Sequence, residues 1–235
     1  MGQLENMTGQ QIPPENDSHV DKADSLLEFF TLHKNKIIAF SALAILVAGG
    51  LLYLHVQRQS AEETAHLLVS NATVLAQQQG WEKAVDGEGT VKGLREIIRE
   101  YGSTPSGNFA KILIADGFFT SRQTDSALFY YRAFSGKNRD LAASAIAGEA
   151  ACLVSKKNFS EAAPAYEKAS ETAENPALKA LYLSDAGDSY LSLGNVDKAV
   201  DIYKRIVRKY AGFTAAAKAE ESLLTLAGKT GNIVP

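Results

Sequence analysis

The chain has 235 residues, of which 46% are hydrophobic and 22% charged, and its net formal charge is −3. That is ordinary for a protein with one globular domain, and it supplies no basic excess to attract phosphates, so nucleic acid is not an expected partner. The lone cysteine, Cys152, excludes an internal disulfide and a zinc cluster; set among Ala150, Ala151, Leu153 and Val154 it reads as a small apolar packing group.

Charge is unevenly spread along the chain. Residues 1–36 carry six acids and three bases, residues 37–56 carry no charged side chain, and residues 57–235 carry 21 of each sign. Residues 1–20 are polar, contain Pro13-Pro14 and show no apolar periodicity, and are expected to be a disordered tail. A short amphipathic juxtamembrane helix is expected over 21–36, where Leu26, Leu27, Phe29, Phe30 and Leu32 recur.

Residues 37–56 (IIAFSALAILVAGGLLYLHV) are twenty in a row with only Ser41, Tyr53 and His55 polar. A helix of that length spans about 30 Å, the thickness of a bilayer's hydrocarbon core, and it lacks the polar face of a soluble core helix. A cleavable signal peptide is the competing reading. The 36 preceding residues and the missing small-x-small site favour an uncleaved transmembrane helix instead. His33, Lys34 and Lys36 before the span, against Arg58 alone shortly after it, place the N-terminus in the cytoplasm and the large C-terminal part across the membrane.

Ala61, Ala65, Leu68, Ala72 and Leu75 mark a linker helix. With Val91–Tyr101, and with Trp81 and the 86–89 loop between, it forms an atypical first hairpin over 57–108. From 109 to 227 a period appears. Gly187, Tyr190, Leu193-Gly194-Asn195, Ala199, Tyr203 and Ile206 make the clearest unit; Leu153, Asn158-Phe159, Ala162, Tyr166 and Ala169 make a second; Phe118, Ala127, Tyr131 and Phe134 make a third. Ala127, Ala162 and Ala199 are spaced by 35 and 37 residues, near the period of about 34 of the tetratricopeptide repeat, which this pattern resembles. Small residues at Gly187 and Ala199 allow two helices to approach, and the aromatic four residues after the second small position fills the gap to the next unit. Ser160 is expected to cap a helix starting at Glu161, with Pro164 in its first turn. Residues 214–227 are expected to form a capping helix ended by Gly228, with 228–235 as a tail. The fold class is thus all-α: a single transmembrane helix followed by a tetratricopeptide-type array of helical hairpins.

Phe29-Phe30 followed by His33-Lys34-Asn35-Lys36, one anchor, a linker helix and degenerate repeats, with short matches around 28–36 and 101–119, resemble the YfgM-like family. The resemblance implies a bacterial inner-membrane protein with a periplasmic domain, associated with the Sec translocon and periplasmic chaperones, and with no catalytic residues.

Histidine occurs at 19, 33, 55 and 66, so the region after residue 66 has none for a Ser-His-Asp or Cys-His mechanism or a His-rich metal site. Asp185 and Asp188 lack a partner base and read as a solvated face. No catalytic residue, metal or cofactor is expected, and the protein is not read as an enzyme. A binding face for proteins is expected on the first helix of each unit, at Phe109, Ile112, Asp116 and Phe119, at Ser144, Ala147, Ala151, Val154 and Ser155, and at Leu181, Ser184, Asp188 and Leu191. That set holds no Lys or Arg, so it is a poor clamp for a terminal carboxylate and suits an apolar helix or an extended segment. Its expected partners are exported polypeptides, translocon or membrane-complex subunits, or a second copy in a homo-oligomer. The alternative to this accessory role is a stoichiometric structural subunit of a large membrane complex.

Overall fold

The computed structural model describes residues 18–230, with side chains from 27 to 228. Most of the expected 1–20 tail, and residues 231–235 of the expected 228–235 tail, lie outside the described residues. The described part is mostly helical: α1 (Ser18–Gln79), α2 (Trp81–Asp86), a small hairpin of β1 (Gly87–Glu88) and β2 (Val91–Lys92), α3 (Leu94–Tyr101), α4 (Pro105–Thr120), α5 (Thr124–Arg132), α6 (Arg139–Ser155), α7 (Phe159–Thr172), α8 (Pro176–Ser192), α9 (Val196–Lys209) and α10 (Thr214–Thr230). The chain divides into two compact units, residues 1–56 and 57–235.

In the first unit α1 starts at Ser18, three residues before the expected boundary, and the 21–36 segment is not a separate helix. Among the described residues this is the one helix long and apolar enough to cross a membrane. Its apolar side chains are exposed on every side, as at Phe40 (72% exposed), Ile45 and Leu52. No amphipathic stripe is present to pack on a protein core, and an all-round apolar surface of about twenty residues matches hydrocarbon rather than water. The Ser41 hydroxyl donates to the Ile37 carbonyl at 2.8 Å, so its polarity is satisfied within the helix itself.

The second unit behaves differently from its first residues. Ala65, Val69, Ala72 and Leu75, spaced by three and four, are buried on one face of α1, and Val69 and Ala72 join Leu94, Ile97, Ala110 and Ile114 in a core. Glu62 fixes the start of this contact. Its carboxylate accepts the Ser106 backbone N–H at 3.0 Å and the Ser106 hydroxyl at 2.6 Å, at the N-terminal end of α4, where a negative charge is favoured. Burial alone would raise the Glu62 pKa, but these bonds outweigh it and hold it below the usual value. The expected helix from Val91 begins only at Leu94, because Gly87 to Lys92 closes a hairpin with Gly87 opposite Lys92 and Glu88 opposite Val91. The two-residue connection at Gly89-Thr90 suits such a turn.

Three pairs follow, α4–α5, α6–α7 and α8–α9. Each is joined by three residues and packed along its length, which requires antiparallel helices. The three turns are copies of one another. Arg122, Lys157 and Gly194 take φ of 61°, 59° and 83°. The next residue of each, Gln123, Asn158 and Asn195, donates its N–H back to Phe118, Leu153 and Tyr190 at 2.8, 2.9 and 2.9 Å. A left-handed residue closing a six-to-one bond is the usual way to end a helix, and only at Gly194 is it free of the Cβ penalty. Within the last pair Gly187 is required by contact: a Cβ there would lie 2.7 Å from the Tyr203 ring. Across pairs, α4 packs on α6, α6 on α8 and α8 on α10.

Two expected boundaries move. α7 starts at Phe159 after Asn158, not after Ser160, whose hydroxyl donates to the Asn158 side chain at 3.0 Å. Asn158 follows the left-handed Lys157, so the turn, not the serine, decides the start; Pro164 then falls inside the helix. α10 runs through Gly228 to Thr230, because a lone glycine costs a helix only about 1 kcal/mol. Cys152 is fully buried, and burial pushes its thiol up to about 11, as suits a packing residue.

Candidate functional site

The thirteen residues expected on the binding face separate by depth, and the separation follows the repeat. Phe109 and Leu181 are exposed (37% and 46%), as is Ser155; Asp116, Phe119, Ser144, Ala151, Val154, Asp188 and Leu191 are half-buried. Ile112, Ala147 and Ser184 are buried and do not belong to an accessible face. These three occupy one repeat position, 35 and 37 residues apart, on helices that pack successively on the next one along. Ser184 is buried with no hydrogen-bond partner for its hydroxyl.

Asp116 and Asp188 also share a repeat position, and each holds a tyrosine from the second helix of its own pair. The Tyr131 hydroxyl donates to Asp116 at 2.5 Å, and the Tyr203 hydroxyl donates to Asp188 at 2.6 Å. Burial raises the Asp116 carboxyl, and the Tyr131 hydroxyl partly counters it. The other oxygen of Asp188 accepts from Lys218 of α10 at 2.6 Å. Asp185 and Asp188 are therefore not the solvated face expected of them. Asp185 is half-buried with Lys218 3.9 Å away, and burial, reinforced by Asp188 and opposed by Lys218, pushes its carboxyl up to about 6.

Between α6, α7 and α8 lies a cavity of about 170 Å³. Val154, Phe159 and Tyr166 form its less polar side, and Asp185, Asp188, Ser189 and Ser192 form the other. Both serines donate to carbonyls of their own helix, Ser189 to Asp185 and Ser192 to Asp188. The Tyr166 phenol is pushed up by burial and then by the Asp185 charge. Two larger cavities are bordered by groups that already bond one another. Beside Trp81, Arg95 pairs with Asp86 and lies over the Phe118 ring. Beside Phe134, the Asn108 carbonyl oxygen accepts from Ser135 and Lys111. Trp81 is half-buried, with its ring against Gly117, a packing contact. Among the described residues no group of three or more His, Cys, Asp or Glu converges as a metal ligand set.

Tyr166, Phe159 and Lys218 were not in the expected set. Tyr166 stood out in the sequence only as a repeat aromatic, and nothing near Lys218 in sequence announces that it reaches Asp188, thirty residues earlier. Comparison with known proteins finds no matching family model and no matching curated sequence.

Proposed function

We propose that this chain is a membrane-anchored protein–protein interaction module of tetratricopeptide type. In this reading the helix over 37–56 sits in a bacterial inner membrane, and the helical domain stands in the periplasm. There it serves protein export, chaperoning or membrane-complex assembly, as a relative of the YfgM-like family would, and it has no catalytic role. The observation that carries the reading is the threefold recurrence of one turn, at Arg122, Lys157 and Gly194, with the tyrosine–aspartate contact recurring in the first and third pairs. Stacked equivalent hairpins leave their first helices side by side, and Phe109, Phe119, Val154, Leu181 and Leu191 remain accessible or half-accessible there. A surface of apolar side chains with scattered carboxylates suits a polypeptide segment better than a small polar substrate.

The test is crosslinking of the full-length protein in native membranes, with and without charge on that face. Phe119→Lys together with Leu191→Lys is expected to remove the crosslinked proteins while helical content stays the same. An unchanged partner set in a folded variant overturns the reading. A single partner at equal stoichiometry, in place of a varied set, assigns the chain to a structural subunit of one complex.

A further inference from the structure

The domain repeats one device and breaks it once. In the first and third pairs an aspartate on the first helix accepts the phenol of a tyrosine on the second, Asp116 from Tyr131 and Asp188 from Tyr203. The same spacing puts Ala151 where the middle pair's aspartate would stand, opposite Tyr166. Tyr166 is only 8% exposed, yet its hydroxyl has no hydrogen-bond partner among the described residues. Its hydroxyl opens on the cavity instead of bonding a neighbouring helix, unlike the phenols of the other two pairs.

The group Tyr166 shares its cavity with is in the same condition. The Asp185 carboxylate accepts no hydrogen bond among the described residues; Lys218 lies 3.9 Å away and makes its hydrogen bond to Asp188 instead. The charges at the cavity are the two carboxylates of Asp185 and Asp188 against the single ammonium of Lys218. One negative charge is left over. Val154 and Phe159 complete the walls with apolar surface, and the volume is that of one long side chain.

We propose that this cavity takes a lysine or arginine side chain from the polypeptide bound along the face, which makes it the determinant of sequence preference. The stem of the side chain lies along Val154 and Phe159, and its cationic head donates to the Asp185 carboxylate and to the Tyr166 phenol oxygen. A neutral or acidic side chain leaves both groups unpartnered. This inference rests on the polypeptide-binding reading above and adds the chemistry of one subsite to it.

The test uses the full-length protein in nanodiscs of zwitterionic lipid, so that basic peptides are not held by the bilayer. The probes are short fluorescent peptides of alanine, serine and leucine with one central arginine, and the same peptides with central norleucine or glutamate. The arginine peptide is expected to bind about tenfold more tightly than the norleucine peptide, as one charge-assisted contact provides. Asp185→Asn is expected to abolish that difference. That variant relieves a buried charge, so a loss of folding does not obscure the result. Equal binding of all three peptides by the wild type, or an intact arginine preference in Asp185→Asn, overturns this inference and leaves the proposed function standing. Failure of every peptide to bind overturns both.

Discussion

The pairs α6–α7 and α8–α9 share a three-residue connection, a left-handed turn residue and a tyrosine four residues after a small one, yet they treat that tyrosine in opposite ways. In α8–α9 it is fully buried over Gly187 and donates to Asp188, which in turn holds Lys218 of α10. In α6–α7 the aspartate is replaced by Ala151, Tyr166 keeps a free hydroxyl, and a cavity opens beside it. The regular pair invests its polar groups in holding the fold. The irregular pair leaves the Tyr166 phenol available across a cavity from Asp185 of α8, and departures from local consistency of this kind are where binding sites are found.

The comparison can be broken most severely at Tyr203. Tyr203→Ala empties the space over Gly187 and should cost about 3–5 kcal/mol in denaturant unfolding, followed through the fluorescence of Trp81. A loss under about 1 kcal/mol would mean that the pair is not held as described. Removing only the hydroxyls sharpens the contrast. Tyr203→Phe should cost about 1 kcal/mol, since a bonded phenol is lost, whereas Tyr166→Phe should be neutral or slightly stabilising. Equal losses at both positions would erase the distinction between the pairs.

Two carboxylates should differ in the sign of their pH dependence. Asp185 has its folded pKa raised to about 6, above the ordinary 3.8, so its ionised form opposes folding. Its cost is complete above pH 6, shrinks as pH falls through the window from about 6 to 4, and is absent below it. Asp188 and Lys218 face it throughout and moderate the size. Asp185→Asn should therefore stabilise the domain by about 1 kcal/mol at pH 7.5 and by almost nothing at pH 4. Glu62 is the opposite case. Its folded pKa is lowered below 4.5, so its contribution is present above that value and lost as pH falls through the folded one. Glu62→Gln should cost about 1 kcal/mol at pH 7.5 and less in acid, read from the same unfolding curves.

The smallest effects lie in the turns. Lys157→Gly should stabilise by about 0.5–1 kcal/mol by removing a Cβ from a left-handed position, and Gly194→Ala should destabilise by a similar amount. If both substitutions act with the same sign, the two turns are not equivalent.

Much of this architecture was legible in residue order. Periodicity near 35 residues placed the three hairpins, because each has to present the same small and aromatic side chains to neighbours of the same kind. The uncharged run over 37–56 marked a membrane-length helix, because apolarity all round leaves no face for a protein core. Boundaries are less legible where two signals compete, as at Ser160 against Asn158, or where a lone glycine resembles a stop, as at Gly228. Pattern placed Ile112, Ala147 and Ser184 on the accessible side, although successive first helices pack together and cover that repeat position. Local sequence thus determined which segments are helical, how they pair and where the chain turns apolar, since these follow from spacing along one strand of backbone. Only the tertiary structure decided that Tyr166 and Asp185 face each other across a cavity while Lys218 of α10 turns to Asp188. Those meetings join residues 19 and 30 positions apart, and nothing in either neighbourhood encodes the other.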